Sequence, residues 1–501
     1  MRTSLIGLAI LVATVTCVVG EDWRMGGRSG NRNPVSPEKN APLDWQDAEK
    51  SKLGKNIRWA ARFANRAIGG PVVADGLVWV GTNNWRPRDP AAPGDRGVLA
   101  CFREADGEFL YQYTSPRLPP SAGSERTDWP TGPLSGSPVT EENRIWFITN
   151  RREVVCLDTN PLRTGQGPAR ELWKVDLIAQ LGVIPSSPMM TDFDNLGSCA
   201  IHRDWLYVPT GNSAKLKSEG LHPATNPKAP SLVCLNKRTG EIVWQDYSDR
   251  HGMYHGAHSS PLVIEAAASV QVAHAQADGW VRGFDAGTGE LLWSFDTNHK
   301  SDPWTFGRSG RRKRVVIATP VHANGLVYFG HGDLTEFSSG PGRIFCINPA
   351  GKRGDISAEL QDEQGQVRPN PNSGLVWDFA RAGDAKSDQM HLCGSSVAIE
   401  SGLLIAADHE GFVHCFDART GQRHWVFNSD LELRGNILIV DGKVYLPSVD
   451  GEVLVLELSR TFKVLSRPSM INSIESPIVY AKGTLYVLTI EGLYAIAVMP
   501  E

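Results

Sequence analysis

The sequence predicts an all-β fold, an eight-bladed β-propeller with four-stranded antiparallel blades, closed by an N-terminal strand. Three observations carry this expectation. A four-strand unit recurs along the chain, its copies share one turn grammar, and the two ends of the array are complementary fragments of a single unit.

The turn grammar is clearest in "GFVHCFDARTGQRHWVF" (411–427), "GWVRGFDAGTGELLWSF" (279–295) and "PSLVCLNKRTGEIVWQDY" (230–247), and looser in "RGVLACFREADGEFLYQY" (96–113). Each copy runs from an apolar strand through Asp or Asn and a T-G or D-G turn into a strand carrying Trp or Tyr. An Asp side-chain oxygen caps such a turn, Gly supplies a left-handed conformation, and an outer aromatic covers the neighbouring blade. Asp417, Gly421 and Trp425 take these roles in this reading. The aromatic recurs as Tyr111, Trp173, Trp244, Trp293, Trp377 and Trp425, with Leu465 in the seventh unit.

Each unit opens on small residues. The eight openings are "IGGPVVADG" (68), "SGSPVTEEN" (135), "LGSCAIHRD" (196), "HSSPLVIEA" (258), "IATPVHANG" (317), "CGSSVAIES" (393), "RGNILIVDG" (434) and "IESPIVYAKG" (474). Turns such as Asp75-Gly76, Asn324-Gly325 and Asp441-Gly442 join the inner strand to the second one as tight hairpins. The eighth unit ends at "GLYAIAVMPE" without a fourth strand, whereas "KNIRWAARF" (55–63) carries Trp59 in that pattern with no strands before it. Supplying the missing strand from the N-terminus removes an exposed sheet edge. The propeller is therefore placed at residues 56–498, with an N-terminal extension at 21–55.

With 501 residues, 50 Gly, 32 Pro and 15 Trp, the composition suits many short strands and tight turns. A net charge of −4 gives no footprint of a nucleic-acid partner. The opening "MRTSLIGLAILVATVTCVVGED" has an Arg, an apolar run from Leu5 to Val19, and Gly20 before Glu21, the layout of a cleaved secretion signal spanning residues 1–20. Thr16 does not suit lipid attachment at Cys17. The mature chain is expected to be exported to the periplasm or outside, soluble or at most peripherally attached to a membrane, with no transmembrane segment.

Cys101, Cys156, Cys234, Cys346 and Cys415 fall at one place in successive repeats, too far apart to bridge, and Cys199 and Cys393 begin strands of non-adjacent repeats. These seven read as small buried apolar residues. No C-x-x-C occurs, which speaks against a zinc knot or attached haem.

On these motifs, over about residues 56 to 498, the chain resembles the tryptophan-docking repeat of the pyrroloquinoline-quinone-like (PQQ-like) propellers. That superfamily includes quinoprotein alcohol dehydrogenases, BamB-type outer-membrane assembly proteins, and exported bacterial propellers of unassigned role, to which "DWRMGGRSGNRNPVSPEKNAPLDW" is also similar. In the dehydrogenases the resemblance implies PQQ at the axis, held by a Trp and an adjacent-cysteine disulfide, with Ca²⁺ to polarise the quinone and an Asp base. This sequence has no adjacent cysteines, and its carboxylates and amides do not match the calcium ligands. No catalytic residue or metal ligand is assigned.

The residues just before each inner strand ring the axis: Arg66, Trp129, Asp192, His258, His391, Arg434 and Glu475. Several are ionisable, and such groups converging on a funnel can bind a polar ligand; the alternative is a hydrated channel. The histidines of "HGMYHGAHSSP" and the cations of "RSGRRKRVV" read as surface loops. The insertions at 115–130 and 347–374 interrupt the repeats and suit either functional loops or disorder. The expectation is a monomeric, non-catalytic binding or scaffold propeller, its partner an envelope protein or a small polar ligand. The alternative is a PQQ-dependent oxidoreductase with an altered cofactor site.

Overall fold

The computed structural model describes residues 20–498 apart from 48–52, 64, 117–133, 135, 184–196, 213–215, 218–219, 222–225, 227, 249–257, 267–268, 277, 302–315 and 333–341. Eight four-stranded antiparallel blades form a ring. The innermost strands are Val72–Ala74, Val139–Glu141, Ala200–His202, Leu262–Ala266, Val321–Ala323, Ala398–Glu400, Leu438–Val440 and Val479–Ala481, and they define blades 1 to 8 in chain order. Blade 8 is completed by Ile57–Arg62, which pairs antiparallel with Gly492–Ile496. The N-terminal strand thus closes the ring as the two incomplete ends require.

The turn grammar glues blades. The Asp417 carboxylate accepts from the backbone N–H groups of Arg419 and Thr420 at 3.1 and 3.0 Å. Gly421 sits at φ 72°, and an added Cβ would lie 2.6 Å from the indole of Trp377 in the preceding blade. The indole N–H groups of Trp59, Trp244, Trp377 and Trp425 donate to carbonyls of Glu104, Ala286, Ala418 and Ser459 at 2.9, 3.1, 3.0 and 2.9 Å, each in the next blade. Cys101, Cys156, Cys234, Cys346 and Cys415 stand opposite Tyr111, Trp173, Trp244, Trp377 and Trp425 in the third-to-fourth strand ladder, a small residue making room for a large one. All are buried free thiols.

Two docking positions depart from the expectation. In blade 7 the register puts Ser466 opposite Val455, so Leu465 does not hold the docking place; it packs instead on a core cluster that includes Trp45 of the N-terminal segment. Trp293 stays within its own sheet, over Gly283, with its N–H on Gln271 at 2.8 Å. The cause is the 347–374 insertion, which replaces the next blade's short turn. Its strand Gly354–Asp355 adds in parallel to the outer edge of blade 4, and Ile356 is buried in the cluster containing Trp293. That insertion is ordered, not disordered. Most of the 115–130 insertion lies outside the described residues.

The small residues that open each unit stitch neighbouring blades around the axis. Ser137 N–H donates to Ser198 Oγ and Ser198 N–H to Ser260 Oγ, both at 2.9 Å; Ser260 N–H donates to Thr319 Oγ1 at 3.0 Å, and Ser396 N–H to Asn436 Oδ1 at 2.9 Å. A short side-chain oxygen at this place satisfies a backbone donor that no ladder reaches.

Residues 21–42 form a strap over one mouth of the ring, on the side of the inner hairpin turns. Apart from blade 3, it meets the blades in their own order. The N–H of the second residue of the inner strand donates to the strap in six blades: Val73 to Trp23, Thr140 to Arg24, Val263 to Gly30, His322 to Asn31, Ile399 to the Asn33 side chain and Ile439 to Pro34, all at 2.8–3.0 Å. Blade 3 is reached by Arg32, whose guanidinium donates to Cys199 O at 2.9 Å, to Pro261 O of blade 4 at 2.8 Å and to Gly26 O at 2.7 Å. Blade 8 is reached by Glu38, which accepts from Lys482 N and Gly483 N, both at 2.8 Å. The crowding explains the strap's glycines: at Gly27, φ 71°, a Cβ would lie 2.7 Å from Arg32 O. Inner strands carry unpaired edge groups, and the strap satisfies them as an added chain. Among the described residues no helix is long and apolar enough to cross a membrane.

Candidate functional site

The candidate axial residues precede the inner strands, at the end opposite the hairpin turns that the strap covers. Arg66 is half-buried, with its carbonyl accepting from Thr82 Oγ1 at 3.0 Å. His258 is 8% exposed. Glu475 is half-buried. Trp129 and Asp192 lie outside the described residues, as do His251, His255 and the cations 311–314.

His391 and Arg434 share a neighbourhood between blades 6 and 7, built on the turn "ADHEGF" (407–412). His391 Nδ1 is 2.8 Å from Asp408 Oδ2, and the His391 N–H also donates to that oxygen at 3.2 Å. Phe412 N–H donates to Asp408 Oδ1 at 2.9 Å, and His414 Nε2 stands 3.9 Å from Oδ2. Burial would raise the Asp408 pKa, but the hydrogen bond from His391 and the nearby His414 ring outweigh it and hold the carboxyl down at about 2. Burial lowers the pKa of His414 despite the carboxylate beside it. His409 donates its N–H to Leu392 O at 3.1 Å and rests its ring on Gly394; burial and then the charge of Arg434 lower its pKa. Arg434 Nε is held 2.6 Å from Glu432 Oε1. The sequence reading missed Asp408, His409 and His414. Their signal is a charged "DHE" in a turn where blades 2, 7 and 8 begin with Thr149, Ser448 and Thr489.

A second buried polar cluster joins blades 3 and 4, also unread in the sequence. Arg282 Nη2 lies 2.7 Å from Asp278 Oδ2, and Gln276 Nε2 donates to Ser231 Oγ and Asp246 Oδ2 at 2.6 and 3.0 Å. Trp280 takes Lys300 Nζ at 4.2 Å and the Arg282 guanidinium at 5.4 Å from its ring, and Lys300 also pairs with Asp296 and Asp355 at 3.3 and 3.2 Å. In both clusters the charges answer one another within the protein.

These residues do not fit a PQQ and Ca²⁺ site of the dehydrogenase type. No two cysteines are adjacent, and the described ones are buried, Cys393 with its thiol pushed up to about 12 by burial. Asp408 and Glu432 are engaged by His391 and Arg434. Among the described residues no group of three or more His, Cys, Asp or Glu side chains could hold a metal ion, whereas Ca²⁺ takes 6–8 oxygen ligands.

A family model described as outer membrane protein assembly factor BamB matches residues 95–367 and 363–498. The chain belongs to this BamB-like PQQ-repeat family. Curated relatives are more distant. A stretch of 121 residues is 31% identical to polyvinylalcohol dehydrogenase of Sphingopyxis sp., covering 23% of this chain and 18% of that protein. A stretch of 178 residues is 24% identical to BamB of Salmonella typhimurium, covering 34% of this chain and 43% of that protein. The chain thus spans less than half the length of these relatives. Among solved structures, BamB from Moraxella catarrhalis superposes with TM-score 0.55 at 15% identity over 87% of this chain and 97% of that one. Quinohemoprotein alcohol dehydrogenase from Comamonas testosteroni gives 0.56 at 11% identity over 96% and 82%. At such identities both likenesses speak for the fold alone.

Proposed function

We propose that this BamB-like propeller is an exported, non-catalytic binding or scaffold module of the cell envelope, engaging a protein partner through the face opposite the strap. The observation that carries the reading is that two of the mouth residues are engaged within the protein: His391 is turned to Asp408 and Arg434 to Glu432, so these side chains do not converge on a small polar ligand. A protein surface can be read by loops around the mouth without such convergence. The strap meanwhile occupies the other mouth.

A second reading, a quinoprotein oxidoreductase with an altered site, rests on the local likeness to polyvinylalcohol dehydrogenase. Calorimetric titration of the purified chain with PQQ, with and without Ca²⁺, followed by alcohol dye reduction, separates the two. The scaffold reading expects no saturable binding and one stoichiometric envelope protein on co-purification. Saturable Ca²⁺-dependent binding with dye reduction would replace it by the enzyme.

A further inference from the structure

The strap begins and ends at the same carboxylate. Glu38, 8% exposed, accepts from Glu21 N at 2.9 Å as well as from Lys482 N and Gly483 N. Its partners there are backbone N–H groups; among the described residues it forms no ion pair. The other charges nearby are matched: Arg28 with Glu21, Arg24 with Asp22 and Asp75, and Lys482 with Asp22 and Glu104. The Arg28 charge acts on this carboxylate from beyond ion-pair distance; with no cation in contact its burial is costly, and a cation delivered to it would be held strongly.

The residue that donates to Glu38 is the one that follows the apolar run and Gly20. Gly20 itself lies against blade 8, where an added Cβ would come 2.4 Å from Lys482 Cα. A small residue before a charged one, at the end of an apolar run, is also what a leader peptidase cleaves after. We propose that cleavage between Gly20 and Glu21 is the maturation step, and that the new α-ammonium of Glu21 becomes the counter-ion of Glu38, locking the strap around the ring.

The chemistry balances as a hydrolysis. One water adds across the Gly20–Glu21 peptide bond under a leader peptidase; the leader departs with a Gly20 carboxylate, and the mature chain gains an ammonium at Glu21. A single amide donor is thereby replaced by a charged group with three donors, in contact with Glu38 and near Asp22, Glu104 and Lys482.

An α-amine ordinarily titrates at about 7.7–8.0. Beside Glu38 its value in the folded chain is raised, so the stabilisation is complete below about pH 8 and is lost as pH rises through the raised value. The first measurement is the N-terminal residue of the exported protein, expected to be Glu21. The second is melting temperature from pH 7 to 10 for the chain beginning at Glu21 and for one carrying a short Ser/Gly extension ahead of it, each with and without Glu38→Gln. The chain beginning at Glu21 should lose about 2 °C or more relative to the extended chain as pH rises, and Glu38→Gln should abolish the difference. A different first residue, or superimposable pH profiles for the two unsubstituted chains, overturns the proposal.

Discussion

Trp377 and Trp425 occupy equivalent places, yet Trp377 is 8% exposed while Trp425 is half-covered, edge-on to Phe462 at 5.4 Å. Truncating the deeper ring should therefore cost more. Trp377→Ala is expected to destabilise by about 3–5 kcal/mol, the range for a large buried aromatic, and Trp425→Ala by less, both read by urea unfolding. Ionisable residues at this scale predict acid sensitivity in two windows. Burial lowers the pKa of His274 to about 4, so the unfolded chain takes up a proton below pH 6.5 that the folded chain refuses, and stability falls from there toward pH 4. Asp408, held at about 2, adds stability above about pH 4 that is lost toward pH 2. Melting curves between pH 7 and 4 should show a smaller loss for His274→Gln than for the unsubstituted chain.

Among the elements, the strap shows how far the sequence could be read. The repeated blades were legible because docking aromatics, turn Asp and Gly, and small openings each leave a side-chain signature. "MGGRSGNRNP" leaves almost none, since the strap is held largely through backbone groups, and a Gly-rich polar stretch reads equally as a linker. Beside Asn33, whose amide side chain pairs with Ile399, its side-chain signature is Arg32, buried among carbonyls of blades 3 and 4 and of the strap itself. Removing that guanidinium leaves three carbonyls short of donors, at about 1–3 kcal/mol each if they stay buried. Arg32→Ala should loosen the strap as a unit: amide exchange at Val73, Thr140, Val263, His322 and Ile439 should accelerate together, while second-strand amides stay protected. The mouth residues were legible as positions, because the openings mark the ends of inner strands. Asp408, the partner of His391, was not, since it lies in another segment; Glu432 stands two residues before Arg434, but the sequence does not say that the two side chains turn to each other.

For the whole molecule, closure depends on one strand from the far end of the chain. Deleting residues 56–63 removes Trp59 from its carbonyl on Glu104 and leaves the outer edge of Gly492–Ile496 unpaired. The expected result is a large fall in melting temperature with loss of a single cooperative transition, seen by calorimetry; an unchanged transition would mean that the ring holds without its closing strand.

The strap meets every blade, seven of the eight in their order around the ring. It therefore works as a gauge of blade number: its length and the spacing of its contacts are those of eight. A descendant that lost or duplicated a blade could still close its sheets and dock its tryptophans. Its strap would then run out of step with the inner edges, and Glu38 would no longer return to the residue where the circuit starts. Selection on this N-terminal segment is thus also selection on how many repeats the chain is allowed to keep.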